Sequence, residues 1–199
     1  MRPKTLLELA GVAASPSRLA DAAIVVIDAQ REYVDGALPL PGVQPALAEI
    51  ARLLERARAA GAPVVHVVHQ GRPGGAFAPG SPGAEIAGPA APSAGEAVVG
   101  KRLPNAFAGT ELADCLAALE RREIILAGFM THMCVEATAR AAIDLGLKAT
   151  VVAAATATRD LPDPTSGGTL SAAEVQRNAL AAIGDRFATV ASDSSALPD

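Results

Sequence analysis

The chain contains no tryptophan, one tyrosine and four phenylalanines in 199 residues, so aromatic residues make up only 3% of it. Its core must therefore be assembled from Ala, Val, Leu and Ile, within the usual size of one domain. Cysteine is equally scarce. Cys115 and Cys134 are the two present, too few for a disulfide framework, which points to a reducing compartment. No apolar run approaches the roughly 20 residues needed to span a bilayer, and no membrane partner is expected. The opening MRPKTLLELAGVAASPS has an apolar run too short, and too interrupted by Glu8, for a secretory leader, although Ala13-Ala14-Ser15 imitates a cleavage site. A cytoplasmic location is expected. An excess of positive charge is missing as well. Seventeen basic residues stand against 21 acidic ones, a net charge of −4, which leaves no electrostatic footprint for nucleic acid.

What the chain has instead is alternation. Short apolar runs rich in Val and Ile at 23–28, 63–68, 97–100, 123–127, 149–154 and 186–191 predict strands. Helical spacing of apolar residues between them predicts helices over 45–60, 110–119, 134–145 and 171–183. Continuous apolar strands separated by helices imply a parallel sheet covered on both faces. The expected fold is a three-layer α/β/α sandwich around a mainly parallel, doubly wound six-stranded sheet. An extension over 1–21, one domain over 22–192 and a tail over 193–199 describe the organisation. Segment 70–95 breaks the pattern, since 12 of its 26 residues are Gly or Pro. A loop of that length is either a functional lid or an excursion that is solvated or meets another copy.

In doubly wound sheets small molecules bind beyond the carboxyl ends of the strands. Three chemical groups fall there. Asp28 ends the first strand, where partial desolvation raises a carboxyl pKa unless a cation sits beside it; capping a turn or pairing with Arg31 is the alternative role. Cys134 stands at a strand-to-helix junction in GFMTHMC, where free amides and the helix dipole favour a thiolate. Cys115, on an apolar helical stripe, reads as a small core residue. Lys101 ends the run AVVGK in a chain with three lysines and fourteen arginines, which suggests that a compact ammonium is wanted there.

Three motifs carry a resemblance to a known family: IDAQREYVDG (27–36), KRLPNAFAGTEL (101–112) and LAGFMTHMCVEATARAA (126–142). With GSPGAEI (80–86) they make the chain similar to the isochorismatase-like hydrolases from about residue 22 to 190. The resemblance implies a catalytic triad of Asp28, Lys101 and Cys134. It also implies a non-proline cis peptide at Phe129–Met130 and an oxyanion hole formed by the backbone amides of Met130 and Cys134. The implied reaction is cleavage of a small amide, ureido or lactam C–N bond through a thioester on Cys134, without a cofactor. Tyr33, Arg72, Phe77, Phe107 and Phe129 are candidate pocket residues. Two departures matter. His66 and His69, three apart on a strand, point to opposite faces, so no metal site is expected. Ala154 stands where the family often has an acid, which removes a presumed polar support. The alternatives are vinyl-ether hydrolysis driven by Asp28, and a non-catalytic or redox-sensing protein of the same fold. Half of the residues are hydrophobic, so a homo-oligomer is expected.

Overall fold

A computed structural model describes residues 2–12 and 14–199; Ala13, in the cleavage-site mimic, lies outside them. The strands are β1 (Ala22–Ile27), β2 (Val64–His69), β3 (Ala97–Lys101), β4 (Glu123–Phe129) and β5 (Lys148–Ala157). A small antiparallel ribbon, β6 (Leu161–Pro162) and β7 (Thr169–Leu170), precedes β8 (Thr189–Ala191). Helices α1 (Leu6–Leu9), α2 (Val43–Ala59), α3 (Leu112–Ala118), α4 (Glu136–Asp144) and α5 (Ala172–Arg186) complete the order. Six strands form one sheet in the order β3-β2-β1-β4-β5-β8, and every pairing is parallel. The chain moves outward from β1 to β3, then returns to lay β4 on the other side of β1. The crevice beyond the carboxyl ends of β1 and β4 is therefore the topological switch point.

The alternation of β1 explains the layers. Ile24 and Val26 face one side, with Leu47, Ile50, Leu53 and Leu54 of α2. Ala23, Val25 and Ile27 face the other, with Leu112 and Leu116 of α3, Ala139 of α4 and Ile183 of α5. All six residues of β1 are buried, as a strand covered on both faces requires. The sandwich is thus the expected one, with α2 alone on one face.

Several boundaries differ from the sequence reading. Arg186 closes α5 rather than opening a strand, because the capping box of Ser171 and Glu174 starts a helix whose spacing runs on past Ile183. The helix expected from Cys134 is preceded by a turn of π-helix, Thr131–Val135. Strand β5 continues to Ala157, with its register against β4 shifting between Leu126 and Gly128. Ala154 lies in the irregular stretch and is exposed. It lines a surface depression with Glu49, Arg52 and Asp193, so an acid there would support the surface and not the triad.

Both chain ends are fastened. The backbone amide of Ser17 donates to Thr150 (2.9 Å), and that of Leu19 to Pro198 O (2.9 Å). The buried carboxylate of Glu49 accepts from Ser194 N (2.6 Å), while Arg56 donates to the carbonyls of Ser194 and Leu197. Segment 70–95 is folded against the turn after β1. The amide of Arg31 donates to Glu85 O (2.9 Å), and that of Ala87 to Ala29 O (2.8 Å). Among the described residues, no helix is long and apolar enough to cross a membrane.

Candidate active site

Asp28 is the first residue beyond β1, in the left-handed region at φ +50°. Its amide still donates to Val67 O of β2 (2.8 Å), so the backbone leaves the sheet only after that bond. Asp is among the few residues that adopt this conformation readily. Lys101 is the last residue of β3 and shares the buried face of Val99. The nucleophile turn follows β4, whose end passes so close to β1 that a Cβ on Gly128 (φ +114°) would collide with Ile27 O. The Phe129–Met130 peptide is cis. The carbonyl of Met130 then accepts from the amides of Met133 (3.1 Å) and Val135 (3.2 Å). The amide of Cys134, between them, does not join that pair. Thr138 holds the turn from behind: its hydroxyl donates to Cys134 O (2.7 Å) and accepts from Ala106 N (3.0 Å). One side chain thus couples the loop after β3 to the cysteine.

The three chemical groups meet. Lys101 Nζ lies 2.7 Å from Asp28 Oδ2 and 3.3 Å from Cys134 Sγ. Asp28 is fully buried, Lys101 1% exposed and Cys134 5% exposed. All three are almost wholly removed from solvent, Cys134 the least so. Desolvation pushes the Asp28 carboxyl above the ordinary range, with Lys101 opposing it. Burial pushes the Cys134 thiol up to about 12; Asp28 adds to the rise and Lys101 opposes it. Burial thus works against the helix terminus, which in the sequence reading favours a thiolate.

The candidate pocket residues fare differently. Tyr33 is buried and stands edge-on to Phe77 (centroids 5.0 Å) and Phe129 (5.9 Å). Its phenol is pushed up by burial and by the charge of Asp28. Phe129 is fully buried and backs Tyr33. Phe107 is half-buried in the α3–α4 core that also holds Cys134. Arg72 is exposed, at a turn closed by Gly75 N to Arg72 O (3.0 Å). The structure does not bring it to the triad, because the Gly-rich tip turns outward. His66 is buried with Nε2 2.9 Å from Glu96 Oε2, whereas His69 packs on Phe77 (5.2 Å).

Sequence reasoning missed several residues around the site. Arg159 follows β5, and its charge acts on both Tyr33 and His132. His132 Nδ1 in turn meets the Thr158 hydroxyl. Reading β5 to its true end would have put Arg159 on the same rim. Gln30 spans β2 and the Gly/Pro-rich segment, accepting from His69 N (2.8 Å) and donating to Ala84 O (2.9 Å). Its signal was its place two residues after Asp28.

Comparison with known proteins bears on the family and the fold. The isochorismatase domain model matches residues 22–194. A secreted isochorismatase effector, Isc1, of Verticillium dahliae is 40% identical over 92% of this chain and 93% of that protein. A streptothricin hydrolase of Streptomyces noursei is 40% identical over 84% of this chain and 61% of its own length. Maleamate amidohydrolase of Pseudomonas putida is 35% identical over 65% of this chain and 69% of that enzyme. Among solved structures, an isochorismatase from Pseudomonas putida KT2440 superposes with a TM-score of 0.94. It is 41% identical and covers 98% of this chain and 100% of that one.

Proposed function

The chain belongs to the isochorismatase family, and from that premise we propose that it is a cysteine hydrolase cleaving the C–N bond of a small amide, ureide or lactam. One observation carries the reading: a single buried ammonium touches both a carboxylate and a thiol (2.7 and 3.3 Å). Of two similar proteins, one is a hydrolase of streptothricin and the other an amidohydrolase of maleamate by name.

Burial raises the carboxyl of Asp28 and so makes it a stronger acceptor for the thiol proton than an exposed aspartate. Sulfur attacks the carbonyl carbon as Asp28 takes the proton, and the carbonyl π pair moves to oxygen. The oxyanion faces the amides of Met130 and Cys134. Collapse expels the nitrogen with the proton from Asp28, leaving a thioester. Asp28 then deprotonates water, which attacks the thioester and releases acid and thiol. Lys101 balances the negative charge as it moves between carboxylate and sulfur. Arg159, two residues beyond β5 and with a charge felt by Tyr33 and His132, suits a substrate that carries a negative group away from the scissile bond.

The test is an ammonia-release screen over small amides, ureides and lactams, each paired with a carboxylated analogue. Cys134→Ala should lose turnover and the acyl adduct seen by intact mass; full residual turnover refutes the nucleophile. Arg159→Ala should raise KM for the carboxylated member of a pair only. Vinyl-ether hydrolysis by Asp28 is less well supported, because it gives the thiol at 3.3 Å from Lys101 nothing to do. A cytoplasmic site of action accords with two unpaired cysteines, although Isc1 is a secreted relative. Exposed Val98 and Leu103, at and just beyond the edge strand β3, support self-association as the partner interaction.

A further inference from the structure

Glu32 is a buried carboxylate that the proposed reaction does not use. Its two oxygens fasten two separate stretches of chain: Oε1 accepts from Ala37 N (2.7 Å) and Oε2 from Phe77 N (3.3 Å). The surrounding backbone is cut to fit it. A Cβ at Gly36 would overlap the Glu32 backbone and carboxyl carbon, and a Cβ at Gly83 would overlap Oε2. The amide it captures belongs to Phe77, a buried residue at φ +55° whose ring stands against Tyr33 and His69. The rest of segment 70–95 is pinned nearby by the Gln30 carboxamide, by two backbone bonds and by the Arg31–Glu85 pair (3.1 Å).

We propose that Glu32 is a positioning residue that makes the Gly/Pro-rich segment a fixed wall of the active site, seating Phe77 against Tyr33 and so setting the breadth of substrate admitted. The segment is a wall and not a lid, because opening it would strip a buried carboxylate of a donor and expose Phe77 together. Only the turn around Arg72 is left free. The effect on specificity rests on the catalytic reading of Cys134; the seating of Phe77 does not.

The molecule supplies its own probe. Tyr33 is the sole tyrosine and tryptophan is absent, so tyrosine emission and near-ultraviolet circular dichroism report this one ring. Glu32→Gln keeps one acceptor oxygen, which the shorter bond to Ala37 N (2.7 Å) claims, and leaves an NH2 facing Phe77 N. Gly83→Ala displaces the same carboxylate from the other side. Both variants should change the Tyr33 signal and speed amide exchange at residues 76–84 by tenfold or more. Both should raise KM for the most compact substrates about tenfold with kcat within threefold, and let bulkier acyl groups react. Glu32→Asp should recover part of each effect. Unchanged Tyr33 emission and exchange in both variants would overturn the seating of Phe77. A changed ring signal with KM and acyl preference unmoved would overturn the control of specificity. Full activity of Cys134→Ala would remove the catalytic premise, leaving the ring and exchange measurements to decide the wall by themselves.

Discussion

At the scale of single residues, the chemistry turns on how deeply the carboxylate and thiol are buried. Asp28 must be ionised to accept a proton, and desolvation holds its carboxyl above the usual range despite Lys101. A raised pKa means the base is lost at a higher pH on acidification. The acid limb of kcat/KM should therefore be centred above the ordinary aspartate value of about 3.9. Replacing Lys101 by Met removes the opposing charge and should move that limb further up, measured on the residual activity. A wild-type limb at 3.9 or below would contradict burial as the dominant influence. The meeting of the three groups of the candidate site was legible from strand ends plus motif. Their protonation was not, because a sequence gives position along the chain and desolvation depends on everything packed around it.

At the scale of elements, the strand ends do the positioning. Gly128 lets β4 pass against the Ile27 carbonyl, which brings the nucleophile turn alongside Asp28. Gly128→Ala should cost about 3 kcal/mol or more, since both its positive φ and the collision with backbone oppose a methyl group; denaturant titration checks it. A second device ties β2 to the start of β3. Partial burial alone would raise the Glu96 carboxyl, yet hydrogen bonds from Arg58, Ser93 and His66 hold it at about 2. A depressed carboxyl stabilises the fold above its unfolded value near 4.3, and that contribution drains away as pH falls towards 2. Glu96→Gln should lower stability by about 1–2 kcal/mol at pH 7 and narrow the gap to wild type near pH 2.5; thermal melts across pH decide it. The alternation of elements was plain in the sequence, as continuous apolar runs in β1 and β4 cannot belong to a half-exposed sheet. The π turn at Thr131–Val135 was not, since it arises from how Met130 shares its carbonyl. The stretch 152–155 hid the end of β5, and with it Arg159, because its alanines carry no facial pattern.

At the scale of the whole molecule, the last seven residues are part of the fold. Glu49 and Arg56 on α2 grip Ser194 and Leu197, Leu197 is buried, and Pro198 O receives Leu19 N. A chain ending at Ser192 should melt about 5–10 °C lower, as the loss of 2–3 kcal/mol implies at this size. Calorimetry checks it, and an unchanged melting point would make the clasp ornamental.

The upward push of burial on the Cys134 thiol also has a consequence for endurance. Peroxide and haloacetamides consume thiolates, so a nucleophile that ionises only as it attacks its substrate is spared between turnovers. Iodoacetamide at pH 7.5 should mark the half-exposed Cys115 well before Cys134, and hydrolysis should outlast that first label. An enzyme so protected can stay in service under oxidising conditions without a reductant to restore it.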